Sequence, residues 1–245
     1  MKEAIKRYLE RTGFGQFSPK AALFDMDGVL YDSMPRHAAC WEQAMATFGL
    51  AMTQRQAYEY EGMRGVETIQ LFARQQKGVE LTEEEAQKVY DEKTRLFHSM
   101  GDAPLMPGAL ELMKEISECG LHIAIVTGSG QRPLIRRVLR DFQAFVDERH
   151  MVTAYDVKHG KPAPDPYLMG LQKVGNLKPN EAIVVENAPL GVEAATAAGI
   201  FTIAVNSGHL PESILAKADL LFTSMSELSE AWNDMTITFN KNQEK

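Results

Sequence analysis

The chain has 245 residues, of which 44% are hydrophobic, with a formal charge of −7 and two cysteines. That length and apolar content suffice for one large domain or for a core with an inserted module, and charges of both signs spread without a long basic block argue against a nucleic-acid surface. No apolar run approaches the roughly 20 residues that span a bilayer, no export signal opens the chain, and Cys40 and Cys119 lie far apart as two reduced, buried thiols, so a cytoplasmic protein without membrane contact is expected.

In chain order, residues 1–19 form an N-terminal helical extension that looks like a surface element without chemistry. Short β-branched apolar runs then occur at 21–24, 122–126, 182–185, 201–205 and 219–222, with a weaker one at 151–153. Helical patterns separate most of them, such as 108–119, stopped by Gly120, and 191–198, ended by Gly199. Alternation of this kind predicts a parallel sheet covered on both faces.

Between the first strand and the one at His122 lies a mainly helical stretch too long for a crossover. Segments 37–48, 55–60, 66–77 and 82–99 are amphipathic, and Thr82 with Glu85 makes a capping-box signature. Residues 35–103 are therefore expected as an inserted helical domain. The core would comprise 20–34 and 104–232, leaving 233–245 as a tail.

The first strand runs into LFDMDGVLYDS, which places Asp25 and Asp27 at the carboxyl end of a buried strand, where open α/β sheets bind ligands. A calcium loop also begins Asp-x-Asp-Gly, but Val29 and Arg36 occupy positions where ligands belong. The second strand delivers Thr127 and then Gly128 and Ser129, whose backbone can approach an anion closely. Glycine after a strand marks a plain turn as readily. Lys161 lies in an extended, proline-flanked loop that by itself reads as surface, and the fourth strand ends in Glu186 and Asn187. All these side chains converge on one sheet edge. Phosphoryl transfer needs an in-line nucleophile, a cation clamp and neutral donors for the phosphoryl oxygens, and the set supplies each.

In that order the motifs DxDGVL, TGSG, GKPxPxPY and VVENxxxG resemble the haloacid dehalogenase superfamily from about Lys20 to Phe222, and within it the β-phosphoglucomutase-like phosphatases and mutases. The resemblance implies a Rossmann-like doubly wound α/β core with an inserted α-helical cap that closes over the site. It implies that Asp25 attacks phosphorus to form an aspartyl phosphate while Asp27 protonates the leaving oxygen and then deprotonates water. Thr127 and Lys161 would hold phosphoryl oxygens. Magnesium would be bound by Asp25, the Asp27 carbonyl and the Glu186–Asn187 pair.

His37, Trp41 and Lys93 fall at the subgroup's spacing, although His37 can equally be a hinge residue, Trp41 core and Lys93 solvated. In mutases a Lys follows the Thr/Ser motif and a cap Arg faces it; here Gly130 and Gly65 stand in those registers, with Arg64, Gln131 and Arg132 nearby. Glu61 replaces a cap Lys and would repel a second phosphate unless protonated or bridged by metal. Hydrolysis of small phosphorylated metabolites is favoured over mutase chemistry. Asn187 stands where most relatives have Asp, which, with Asp27 counted as protonated, leaves a positive surplus suited to inorganic pyrophosphate. A phosphorylation-switched receiver or a binding-only relative is the non-enzymatic alternative; a receiver lacks the insertion and the second Asp. A small phosphorylated substrate is the expected partner, and the chain is expected as a monomer or weak oligomer.

Overall fold

The computed structural model describes residues 1–206 and 208–241, with the side chains of 237, 238, 240 and 241 set aside. Helix α1 (Lys2–Thr12) ends at Gly13, whose φ of 76° suits glycine at a helix C-terminus. Strand β1 (Ala21–Phe24) follows. Helices α2 (Met34–Thr47), α3 (Gln54–Glu59), α4 (Gly65–Lys77) and α5 (Glu83–Ser99) then fill the expected insertion. The chain returns through α6 (Ala109–Glu118), β2 (His122–Val126), α7 (Arg132–Asp141) and β3 (Met151–Val152). It closes with α8 (Asp165–Lys173), β4 (Ala182–Glu186), α9 (Pro189–Ala197), β5 (Phe201–Val205), β6 (Leu220–Phe222) and α10 (Met225–Lys241).

The six strands pair in the order β3-β2-β1-β4-β5-β6, every pair parallel. Strand β1 is flanked by β2 and β4, so the strand order reverses at its carboxyl end and opens the crevice where such sheets take ligands. One face buries Phe24, Ile125, Ile183 and Ile203 against α6 and α10, and the other buries Leu23, Val126 and Val184 against Tyr167 of α8. The insertion has its own core, with Met34, Met45, Met52, Ile69, Phe72 and Val89 buried together. Thr82 caps α5 through the reciprocal hydrogen bonds its sequence predicts.

Two expectations change and one gains detail. The N-terminal surface helix is anchored to the core by one face. Tyr8 is fully buried, its ring meets Phe17 and Phe201 at 5.3 and 5.4 Å, and its hydroxyl donates to the Gly199 carbonyl. Residues 233–241, expected as tail, continue α10, because Trp232, Met235 and Phe239 at three- and four-residue spacing are buried, each such side chain contributing about 1.5–3 kcal/mol. Residues 242–245 of that expected tail lie outside the described residues. Cys40 is buried but Cys119 is exposed, and both are free thiols.

Candidate active site

The site is built from strand ends. Asp25 extends the β1 ladder, its N–H donating to the Val185 carbonyl at 3.0 Å, and its side chain is buried. Lys161 reaches it from the loop before α8. Its Nζ donates to Asp25 Oδ1 at 2.5 Å, to Glu186 Oε1 at 2.6 Å and to the Val126 carbonyl at 3.1 Å. All three ammonium hydrogens therefore go to protein oxygens, and Lys161 in this state orients Asp25 and Glu186 rather than waiting free for a phosphoryl group.

Glu186 is equally engaged. Oε1 also accepts from the Tyr167 hydroxyl at 2.7 Å, and Oε2 accepts the N–H groups of Asn187 and Ala188 at 2.9 and 3.0 Å. The glycine of VVENxxxG now has a reason: a Cβ on Gly191 would stand 1.7 Å from Glu186 Oε1. Gly28 serves the neighbouring residue in the same way, with φ 82° and the Asn187 amide nitrogen 2.1 Å from where its Cβ would be.

Thr127 follows β2. Its hydroxyl accepts from Ser129 N–H at 3.0 Å, which curls the Thr127–Gly128–Ser129 turn around the cavity mouth.

The helical domain supplies the other wall. His37 Nε2 lies 3.0 Å from Asp27 Oδ1, and the Lys93 ammonium lies 2.6 Å from His37 Nδ1. With Lys93 donating, the ring proton sits on Nε2 and donates to Asp27, and Ser33 Oγ donates to the same oxygen at 2.6 Å. Phe97 stacks on His37 at 4.0 Å. Burial pushes Asp27 up, but His37, Ser33 and Lys93 outweigh it and hold the carboxyl at about 2. Burial also lowers Lys93 to about 8, and burial and Lys93 together lower His37.

Glu61, from the loop between α3 and α4, accepts from Asn187 Nδ2 at 3.0 Å. Its Oε1 and the Asn187 Oδ1 are buried and without a hydrogen-bond partner. Burial, then Glu186 and Asp27, push Asp25 up to about 8 against the pull of Lys161; burial and the same carboxylates raise Glu61 as well. Lys161 is itself raised, because two carboxylates share it. The acids at the site outnumber the lysines, and Glu61 Oε1 and Asn187 Oδ1 are both left without a hydrogen-bond partner. Both features fit a divalent cation among Asp25, Asp27, Asn187 and Glu61. Among the described residues no three His, Cys, Asp or Glu side chains form a ready cage, so such an ion would depend on amide or main-chain oxygens and water too. Glu186, expected as a ligand, has no free lone pair to offer without losing a hydrogen bond.

A cavity of about 70 Å³ opens between core and helical domain, lined by Asp25, Asp27, His37, Glu61, Lys93, Thr127, Gly128 and Ser129 among others. Arg64 is not brought in; it points to Glu67 and the Lys158 carbonyl, both at 3.4 Å. Lys93 is buried rather than solvated, and Trp41 lines the cavity as well as packing in the insertion. Ser33, Tyr90 and the cavity role of Gln131 were not legible in the sequence. Tyr167 stood inside the GKPxPxPY motif without a role. The charge surplus expected from Asn187 counted Asp27 as protonated, whereas His37 and Ser33 lower that carboxyl to about 2; the helical domain adds Glu61, which burial and the neighbouring carboxylates push toward its neutral form.

Comparison with known proteins gives one consistent result. The chain matches the family described as haloacid dehalogenase-like hydrolase over residues 22–205. It is 33% identical to Hexitol phosphatase A of Escherichia coli, covering 86% of this chain and 93% of that one. It is 25% identical to the beta-phosphoglucomutase of Bacillus subtilis, covering 89% and 97%. A solved structure described as a candidate beta-phosphoglucomutase from Bacteroides vulgatus superposes with a TM-score of 0.93 at 47% identity, covering 97% of each chain.

Proposed function

The chain belongs to the haloacid dehalogenase-like hydrolases, and on that footing we propose that it is a magnesium-dependent phosphohydrolase working through an aspartyl phosphate, with inorganic pyrophosphate as its first-ranked substrate. An Asp25 oxygen bonds to phosphorus as the bond to the leaving oxygen breaks. Water then attacks the aspartyl phosphate while Asp27 takes its proton, which returns Asp25 and releases phosphate. Lys161 holds Asp25 in place, and the Thr127 hydroxyl and the turn after it offer neutral donors. Magnesium held by Asp25, the Asp27 carbonyl, Asn187 and Glu61 would supply positive charge to the phosphoryl oxygens.

The observation that carries hydrolysis over mutase chemistry is steric. A Cβ on Gly65 would lie 2.2 Å from the Tyr90 ring, and one on Gly130 would lie 2.9 Å from the Tyr155 ring. In the two registers where mutases carry cations this chain has glycine lying against an aromatic ring, so neither register supplies a cation for a second phosphate.

The substrate reading rests on Asp27. A carboxylate held ionised by His37 and Ser33 is a base; a sugar alkoxide needs an acid to leave, whereas phosphate leaves an anhydride as a stable anion. The helical wall sets the apolar Met34, Trp41, Met52, Ala57 and Met63 beside the polar His37, Tyr60, Glu61, Thr68, Tyr90 and Lys93, so the lining also offers partners to the hydroxyls of a small phosphate ester. A small phosphate monoester is the second reading, favoured by the likeness to Hexitol phosphatase A.

Phosphate release measured against pyrophosphate, hexitol phosphates, glycerol 3-phosphate and β-glucose 1-phosphate, with and without magnesium, tests the proposal. Release from pyrophosphate at the highest kcat/KM supports it. Conversion of β-glucose 1-phosphate to glucose 6-phosphate without net release would replace it.

A further inference from the structure

Both chain segments that carry the helical domain pass one arginine as they leave and re-enter the core. The outgoing residues 30–32 pair with the returning residues 104–106: Asp32 N–H donates to the Pro104 carbonyl at 3.0 Å and Met106 N–H to the Leu30 carbonyl at 2.9 Å, with a bridge between Tyr31 and Leu105. Arg137 of α7 grips this ribbon from the side. Its guanidinium lies 4.3 Å from the centre of the Tyr31 ring, donates to the Ala103 carbonyl and to Asp141 Oδ2 at 3.1 Å, and comes within 3.7 Å of Asp102. The Tyr31 hydroxyl donates to the same Asp141 oxygen at 3.2 Å, closing a ring of contacts. The Arg137 side chain is 13% exposed. A solvated surface arginine in one ion pair contributes little; a guanidinium stacked on a ring and forked between acceptors on two segments fixes their relative position.

What lies at either end gives the clamp its consequence. Helix α7 begins directly after the Thr127 turn, and two residues beyond Tyr31 the Ser33 hydroxyl meets Asp27. We infer that Arg137 is a positioning residue: it pins the crossing point of the two linkers, so that the helical domain turns about a fixed axis and returns Glu61 and His37 to the same places over Asn187 and Asp27 at each closure. The inference rests on the reading that this domain opens and closes over the site.

The test uses the full chain and three variants. Arg137→Met removes the charge and the fork, Arg137→Lys keeps the charge alone, and Tyr31→Leu removes the ring from the linker side, which carries the test should Arg137→Met fail to fold. X-ray scattering is recorded with and without magnesium plus inorganic phosphate, and kinetics are followed with p-nitrophenyl phosphate well below each variant's melting temperature. The parent protein is expected to compact on adding the two ions. Arg137→Met and Tyr31→Leu should lose most of that compaction and at least tenfold in kcat/KM, with KM raised, and Arg137→Lys should recover part of both. Variants that melt earlier yet keep the parent's compaction and kcat/KM overturn the hinge assignment alone. A parent that does not compact overturns the closing-domain reading and the hinge with it.

Discussion

Asn187 Nδ2 donates to Glu61 Oε2 across 3.0 Å, a hydrogen bond that runs from the edge of the core sheet to the helical domain. The amide lets an acid from the insertion lie against the acids of the core, because an Asp at 187 would place two carboxylates face to face. Its other atom, Oδ1, is left without a partner. Asn187 of the core is thus tied to Glu61 of the helical domain.

Asn187→Asp is expected to tighten magnesium about tenfold, or ~1.4 kcal/mol, by adding an anionic ligand, and to lower the melting temperature of the magnesium-free protein by repelling Glu61. Calorimetric titration and thermal melts with a chelator read the two effects. Unchanged values on both would remove Asn187 from the metal site.

Stability without metal should fall as pH rises from about 4 to about 8. Burial and its acidic neighbours push Asp25 from 3.8 up to about 8 in the fold, so across that window the folded chain holds a proton that the unfolded chain has released. Stability is then full below pH 4 as far as this group is concerned, and it is lost as pH approaches 8, with a slope of at most about 1.4 kcal/mol per pH unit. Magnesium should flatten the slope by stabilising the ionised carboxylate. Chelator-treated protein that gains stability over the same range would contradict the crowding of acids described for the site.

Gly191→Ala should cost about 1–3 kcal/mol of stability from overpacking and about 100-fold in kcat/KM. Its methyl would displace Glu186 and with it Lys161 and Asp25. Comparing it with Ala197→Gly, at the far end of the same helix, separates a helix effect from a site effect. Equal activity in both variants would show that Glu186 tolerates displacement.

Gly65→Arg alone should not create mutase activity, because the new side chain meets the Tyr90 ring; it should lower stability by about 1–3 kcal/mol. Appearance of glucose 6-phosphate from β-glucose 1-phosphate in that single variant would show that the ring yields, and would weaken the steric case for hydrolysis.

Much of the fold could be read from residues because strand and helix periods were clean: the buried runs at 21–24, 122–126, 182–185 and 201–205 became β1, β2, β4 and β5. Residues 233–241 read as a tail in the sequence because Asn, Asp and Thr lie between Trp232, Met235 and Phe239, the buried residues of that stretch. Asp25, Thr127, Lys161 and Glu186 could be found because each ends a strand or sits in a motif. What the sequence did not disclose was how hydrogen bonds divide among them. That Lys161 is fully engaged, that Glu186 is saturated while Asn187 keeps a free oxygen, and that Asp27 is held ionised by His37 and Ser33 all depend on distances between segments remote in the chain. Tyr90 and Tyr155 escaped notice because their effect is to fill space beside two glycines.

The covalent role of Asp25 is tested most directly by acid-quenching the enzyme during turnover of pyrophosphate with magnesium and mapping the added phosphoryl mass by peptide. The mass should fall on the peptide containing Asp25, accumulate when Asp27→Asn slows attack by water, and vanish in Asp25→Asn together with phosphate release. Undiminished phosphate release by Asp25→Asn, or phosphoryl mass on a different side chain, would contradict the account.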